Sequence, residues 1–150
     1  MKVLSFIPLL IVLAICFENP VFATEKIQLP KEYGVYVKTP KKLVRLMPNI
    51  VFDEEGIYYI ESLSPPRFLL KDVEYFIIYG EYNIDVLTLN PMQLFKTTIF
   101  GKQRYMFGPD IPIEVKEMRE KMYTVKVKGL LGRGYFSLWI DDSAWDFIVE

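Results

Sequence analysis

Apolar residues in this chain occur in short runs separated by Pro, Gly, Asn, Asp and Lys. The first run after the N-terminal region, residues 34–38, is β-branched and aromatic, and a second run, 43–47, follows the polar stretch 40–42. Residues of these types favour extended backbone, and two such runs around a short polar stretch are typical of a β-hairpin. The pattern predicts an antiparallel pair here, ended by Pro48 and Asn49.

The next runs predict two further pairs of strands. Residues 50–52 and 57–60 flank a turn at 53–56, where Gly56 can adopt positive φ. Residues 73–79 are apolar on both faces, so we expect this strand in the centre of a sheet. The turn at 80–83 predicts that residues 84–89 return beside it, before Asn90 and Pro91 end the strand.

The C-terminal half continues the same pattern. Residues 94–100 and 103–107 predict a hairpin around Gly101 and Lys102. Residues 114–122 are good helix formers, but the apolar positions of 111–128 alternate with charged ones at period two. We therefore predict two strands joined near 119–121, with a short helix over 114–122 as the alternative. Residues 135–140 and 144–149 predict the last two strands.

Many short strands with turns between them indicate an all-β fold. No internal repeat, low-complexity tract or long linker divides the chain. We predict an antiparallel β-sandwich or small barrel, Ig-like or related, made by a single β-rich domain of residues 24–150.

Residues 1–23 have the order of a secretory signal peptide. Met1 and Lys2 give a positive start, residues 3–17 are almost entirely apolar, and Ala23 is a small residue at the expected cleavage point. The apolar run is shorter than the roughly 20 residues that span a bilayer. We expect cleavage after Ala23, no membrane span in the mature chain, and an extracytoplasmic location, periplasmic or secreted.

The only cysteine lies inside this segment and raises one alternative. Residues 13–16 end in Cys16 and resemble a bacterial lipobox, in which the cysteine carries the lipid anchor. Ile15 stands where that motif has a small residue, so we favour a cleaved signal over a lipid anchor at Cys16.

Composition and charge exclude several functions. The sequence is 51% hydrophobic and 15% aromatic, which is not the composition of a disordered chain. With 18 Lys and Arg against 19 Asp and Glu, the net charge of −1 gives no electrostatic case for nucleic acid or for an anionic surface. We expect no nucleic-acid partner.

The reactive side chains exclude the commonest catalytic mechanisms. The chain has no histidine, and its single cysteine lies in the predicted signal peptide, so no Ser-His-Asp triad, no zinc site with His or Cys ligands and no thiol chemistry is available to the mature chain. No phosphate-binding glycine motif occurs. We predict a non-catalytic protein with no catalytic residue, no cofactor and no bound metal. A carboxylate-dependent hydrolase remains an alternative, although the densest acidic run, 53–55, fits a solvated turn.

Aromatic residues are the most distinctive feature of the predicted mature chain. Neighbouring residues of a strand point to opposite faces, so one ring of a pair such as Tyr58 and Tyr59 is buried and the other exposed. Exposed Tyr and Trp suit protein interfaces and also stack on sugar rings. We predict a protein-interaction module of the bacterial envelope, with glycan or small-ligand binding as the alternative. The expected surface comprises Tyr58, Tyr59, Tyr135, Trp139 and Trp145.

Overall fold

The computed structural model describes residues 28–62 and 64–150, and this part of the chain is all-β. Its helical turns are two short 3-10 segments, Leu70–Asp72 and Ile84–Val86. The strands are β1 (Gly34–Lys38), β2 (Leu43–Leu46), β3 (Pro48–Ile50), β4 (Phe52–Glu54), β5 (Ile57–Ile60), β6 (Arg67–Phe68), β7 (Tyr75–Tyr79), β8 (Thr88–Thr97), β9 (Gln103–Phe107), β10 (Ile113–Arg119), β11 (Met122–Val127), β12 (Gly134–Ile140) and β13 (Ser143–Val149).

One sheet has five antiparallel strands in the order β10-β11-β7-β1-β2. The strand β7 lies in its centre, as its sequence predicted. Phe76 and Ile78 face the core between the two sheets, whereas Ile77 is buried on the other face. Burial of both faces explains why β7 shows no polar alternation.

The other sheet has eight strands and nearly closes on itself. Its path is β3-β13-β12-β8-β9-β5-β4, and β6 adds to β13 as a parallel strand. The two edge strands of this path, β3 and β4, are separated in the chain by Val51 alone. The edges therefore meet through one bent segment, and the sheet forms a small barrel with a seam beside β3.

The main core lies between the five-stranded sheet and the wall of the barrel. Alternate residues of β12 and β13 face this core, among them Leu138, Trp145 and Phe147, and they cluster with Phe76 and Val35. The other residues of β12 and β13 point into the barrel. These two strands are therefore buried on both faces.

The predicted fold class is confirmed: the chain forms antiparallel sheets in a sandwich-like and barrel-like arrangement. The hairpins β1-β2 and β12-β13 lie where the sequence predicted them. The predicted hairpin around Gly56 also forms, but its first strand is Phe52–Glu54 instead of 50–52, and its turn is confined to Glu55 and Gly56. Residues 113–119 and 122–127 are strands joined by a tight turn, so the alternative of a helix over 114–122 is wrong. In that turn Lys121 takes a φ of 60°.

Two expected strand ends are wrong. Asn90 and Pro91 lie inside β8, and residues 84–89 do not return beside β7 but cross to the barrel. Pro91 is tolerated because β8 pairs with β12 up to this residue and with β9 from Met92 onward. A residue where two ladders meet can do without a backbone donor. Pro48 and Asn49 likewise belong to a strand, β3, because β13 supplies a partner that is distant in sequence.

The predicted signal peptide, Cys16 and the start of the predicted domain at residues 24–27 lie outside the described residues. The assignment of residues 24–150 to one domain stays a prediction. Within the ranges that the structure describes, no helix has the length and apolar character needed to cross a bilayer.

Candidate functional site

The pair Tyr58 and Tyr59 divides between the two faces of β5. Tyr58 is 46% exposed and Tyr59 is 6% exposed. The Tyr59 ring stacks on Phe52 at 5.4 Å and lies under the Arg104 guanidinium at 4.7 Å. Tyr58 can therefore offer its ring to a partner, whereas Tyr59 is covered by its neighbours.

Trp145 does not belong to an exposed surface, contrary to expectation. The side chain is 3% exposed and packs in the main core, edge-on to Tyr82 at 5.4 Å. Strand alternation places Trp145 with Phe147 and Val149 on the face that meets the five-stranded sheet. Its burial removes it from the predicted interaction surface.

Tyr135 points into the barrel. Its ring meets Tyr105 edge-on at 4.7 Å, and its hydroxyl donates a hydrogen bond to Asp146 Oδ2. Burial, followed by the contact with the Asp146 carboxylate, raises the pKa of the Tyr135 hydroxyl far above its ordinary value. A phenol held in this way stays protonated and acts as an internal donor.

Trp139 and Tyr58 come together at one end of the barrel. Their ring centroids are 5.4 Å apart, and Trp139 also stacks on Phe107 at 4.3 Å with an interplanar angle of 22°. The indole Nε1 donates to the carbonyl of Asp141 at 2.7 Å, which fixes the ring plane. We call Tyr58, Phe107 and Trp139 the end cluster. The structure thus joins two of the five predicted residues and adds Phe107.

Exposed apolar side chains lie close to the end cluster along the chain. Ile57 is 42% exposed and directly precedes Tyr58. On the bent segment that carries β3 and β4, Ile50 is 69% and Phe52 41% exposed. Side chains alternate between the two faces of this segment. Asn49 and Val51 face inward, so Ile50 and Phe52 point outward. This side of the barrel therefore presents apolar surface to solvent.

A buried carboxylate lies inside the barrel near its seam. Asp146 is 3% exposed; its Oδ1 accepts a 2.6 Å hydrogen bond from Asn49 Nδ2, and its Oδ2 accepts one from Tyr135. Both partners are neutral, and no ion pair among the described residues includes Asp146. Donors from β3 and β12 thus converge on β13.

Two clefts border this network from outside. One, of about 360 Å³, is lined by Asn49, Asp146 and Glu61, among others, and the other, of about 280 Å³, reaches Tyr135. Ser62 contributes to both clefts. The clefts open where the barrel wall is interrupted between β3 and the end of β5.

The second carboxylate at this cleft is neutralised by cations. Glu61 Oε1 accepts a 2.9 Å hydrogen bond from Arg104 Nε, and Lys102 Nζ lies 3.5 Å from Oε2. The bond from Arg104 is the main reason that the pKa of Glu61 falls below its ordinary value. Glu61 is therefore held in its ionised form. Within the ranges described, no three acidic side chains gather in a way that could hold a metal ion.

Sequence reasoning missed Phe107, Asn49 and Asp146 as members of these sites. The partners of Asn49 and Phe107 lie 97 and 32 positions away in the chain, beyond any local pattern. The sequence does give one indication for Asp146, because it is the single charged residue within the apolar run 144–149. A charge in such a run demands a polar partner.

No family model matches this chain, and neither a curated protein nor a solved structure is significantly similar to it.

Proposed function

We propose that this protein is a non-catalytic module that binds another protein of the bacterial envelope through the end cluster. The observation that carries the proposal is the contact of Tyr58 with Trp139, in which a ring that is 46% exposed lies on a fixed indole. Exposed aromatic rings that other rings hold in place are typical anchors of protein interfaces.

The end cluster is ordered before any partner arrives. Trp139 is fixed by its stack on Phe107 and by the hydrogen bond of its indole nitrogen to the Asp141 carbonyl. A side chain that is already immobile loses little conformational entropy on binding, so more of its contact energy contributes to affinity. The fixed position of Trp139 therefore favours a role of the end cluster in recognition over simple exposure of aromatic rings.

Its geometry suits a protein better than a glycan. Sugar binding needs exposed, coplanar rings with polar groups beside them, whereas Phe107 and Trp139 cover one face of each other and Tyr58 is tilted by 45°. The indole nitrogen is already bonded within the protein. The exposed side chains of Ile57 and Phe52 are also apolar, and they lie on the opposite face of the β4-β5 hairpin from Tyr58, outside the end cluster.

Carboxylate-dependent hydrolysis receives less support. Glycoside hydrolysis requires one carboxyl group whose pKa is raised so that it can act as an acid. Glu61 and Asp146 border the same cleft, but the oxygens of Glu61 are paired with Arg104 and Lys102, which lower its pKa, and both oxygens of Asp146 already accept hydrogen bonds within the protein. We therefore keep the binding role as the proposal.

The decisive experiment compares two tyrosines of equal exposure. Tyr58→Arg alters the end cluster, and Tyr33→Arg alters a tyrosine that is 49% exposed and contacts Tyr79 on the other sheet. Tagged wild-type and variant proteins are crosslinked in cells and purified, and the captured proteins are quantified. We expect one partner that wild type and Tyr33→Arg retain and Tyr58→Arg loses by tenfold or more, roughly the loss for a hot-spot residue.

Two results would overturn this proposal. One is a partner captured equally by all three proteins, and the other is no specific capture by wild type. Circular dichroism of both variants serves as the control, because equal spectra exclude loss of the fold as the cause.

Export to the envelope is part of the same proposal and rests on the pattern of residues 1–23. Mass spectrometry of the purified protein should find a mature chain that begins at Thr24, and Ala23→Arg should block cleavage. A lipid-modified chain that begins at Cys16 would instead establish the anchor.

A further inference from the structure

The hairpin that joins β8 to β9 ends in two fully displayed apolar side chains. Ile99 is 95% exposed and Phe100 is 88% exposed. The tip is tightly built: Gly101 N donates to the Thr98 carbonyl at 2.9 Å, and Thr98 N donates to the Lys102 carbonyl at 2.8 Å. Two large apolar groups are therefore held in solvent by a closed turn.

All charged side chains within the β8-β9 hairpin are positive. Between residues 88 and 109 the charged residues are Lys96, Lys102 and Arg104, and all three are cationic. Two carboxylates from neighbouring strands, Glu54 and Glu61, reach them, so an excess of positive charge remains. Lys102, at the turn itself, is 60% exposed along its side chain.

The acidic turn of the neighbouring hairpin lies away from the tip. The strand β5 runs antiparallel to β9, with Ile60 opposite Tyr105 and Tyr59 opposite Met106. The β4-β5 turn at Glu55 and Gly56 therefore lies toward the end of β9 that is farthest from Phe100, and Glu54 is the carboxylate of this hairpin that reaches Lys96. The overall charge of −1 does not describe this local surface.

We propose that this tip docks the protein on an anionic lipid bilayer. Ile99 and Phe100 enter the boundary between headgroups and acyl chains, while Lys96 and Lys102 remain at the level of the lipid phosphates. Apolar side chains flanked by Lys or Arg are the pattern of proteins that bind the membrane interface. The flanking cations complement the phosphates of an anionic lipid surface, whereas an apolar protein groove offers them no anionic partner. This difference favours a lipid surface as the occupant.

An exposed leucine in a different loop provides a control. Leu130 is 98% exposed in the loop between β11 and β12, where Gly129 and Gly132 flank the Leu130–Leu131 pair. Lys128 and Arg133 flank this loop as well, but Leu131 packs against the main core, so the loop offers one exposed apolar side chain where the tip offers two. If one exposed apolar residue beside cations were sufficient for lipid binding, Leu130 would serve as well as Phe100. The proposal assigns binding to the β8-β9 tip only.

The first experiment places a fluorescent reporter at each position. Phe100→Trp and Leu130→Trp are mixed with vesicles of phosphatidylglycerol and phosphatidylcholine, and the emission is compared with wild type, which contains Trp139 and Trp145. We expect a blue shift for Phe100→Trp, none for Leu130→Trp, and a smaller shift on pure phosphatidylcholine. No shift for Phe100→Trp, or an equal shift for Leu130→Trp, would overturn the proposal.

The second experiment measures partition onto the same vesicles by co-sedimentation. The double variant Ile99→Ser, Phe100→Ser should bind at least about tenfold more weakly, because it removes two apolar groups that bind lipid. Lys96→Gln and Lys102→Gln should each weaken binding by roughly fivefold and reduce its dependence on salt. Wild type that fails to sediment, or a double variant that sediments equally, would contradict the proposal.

Membrane docking and partner binding can be told apart. Tyr58→Arg should partition onto vesicles like wild type, because Tyr58 is not part of the β8-β9 tip. If partner binding depends on Tyr58 but the protein does not bind vesicles, the proposed function stands and the proposed lipid contact is wrong.

Discussion

The side chain of Asn49 donates a 2.6 Å hydrogen bond to the carboxylate of Asp146 inside the barrel, although the two residues are 97 positions apart. This bond joins the edge strand β3 to its neighbour β13, next to the point where the chain bends into β4. The edge strand that borders the seam is therefore held by a buried polar contact as well as by the β3-β13 ladder.

Substitution of Asp146 tests this contact. Asn49 and Tyr135 both donate to the carboxylate, so an amide in its place must direct its NH₂ group at one donor. Asp146→Asn should lower the free energy of unfolding by about 1–3 kcal/mol, the usual effect of one unsatisfied buried group. Urea unfolding followed by tryptophan fluorescence measures this change.

The exposed Asp142 provides the control for that substitution. Asp142→Asn should change the free energy of unfolding by less than about 0.5 kcal/mol, as most surface substitutions do. Equal stability of both variants would show that the buried hydrogen bonds of Asp146 do not stabilise this edge of the barrel.

Stability at alkaline pH should depend on Tyr135. Burial raises its pKa above the value of 10.0 for a free tyrosine, so the folded state holds the phenol proton more tightly than the unfolded state does. The resulting stability is fully present below pH 10.0 and is lost as the pH rises from there through the folded pKa. One such group changes the free energy of unfolding by at most about 1.4 kcal/mol per pH unit.

The variant Tyr135→Phe isolates this effect. Urea unfolding is measured between about pH 8 and about pH 11, around the ordinary tyrosine pKa. Below pH 10.0 the two stability curves should run parallel, and above it wild type should fall more steeply than Tyr135→Phe. Curves that stay parallel at every pH would show that Tyr135 ionises equally well in both states.

Two glycines should respond in opposite ways to alanine. A Cβ at Gly108 would lie 2.9 Å from both Cγ and the carbonyl oxygen of Pro91, whereas a Cβ at Gly132 would meet no atom within 4 Å. Gly108→Ala should lower the free energy of unfolding by about 1–3 kcal/mol because the backbone must shift. Gly132→Ala should leave it unchanged or raise it by up to about 1 kcal/mol.

Thermal unfolding of these two variants measures the difference. The expected ranking places the melting temperature of Gly108→Ala below wild type and that of Gly132→Ala at or above it. A stable Gly108→Ala would mean that β8 and β9 can separate near Pro91 without loss.

The hairpins could be predicted because their signals are local. The turn at Glu55 and Gly56 takes positive φ at both residues, as a two-residue hairpin loop of type I′ requires, and Gly56 favours that conformation. The residues 114–122 have high helix propensity, but the alternation of apolar and charged positions predicts strands correctly. These strands form because β11 pairs with β7 in the sheet. Where strands pair with their sequence neighbours, composition and turns suffice.

The wrong predictions concern strands whose pairing partner is distant in sequence and strands whose two faces are both buried. Asn90 reads as a turn residue, yet its amide donates to the Gly108 carbonyl at 2.9 Å and to Asp110 at 2.7 Å, which supports it inside β8. Trp145 lies on a strand whose two faces are both covered, so alternation does not tell which ring is exposed. The end cluster depends on β5, β9 and β12 meeting in the barrel, which no local pattern encodes.

The last strand pairs with three others: β12, β3 and β6. Synthesis proceeds from the N-terminus, so β3 and β6 emerge long before β13 is available. Until residues 143–149 arrive, these segments have no partner in the barrel, and their unpaired edges are open to other chains. Closure of the barrel is therefore the final event of vectorial folding, and a nascent chain stalled before β13 is the species that most needs a chaperone.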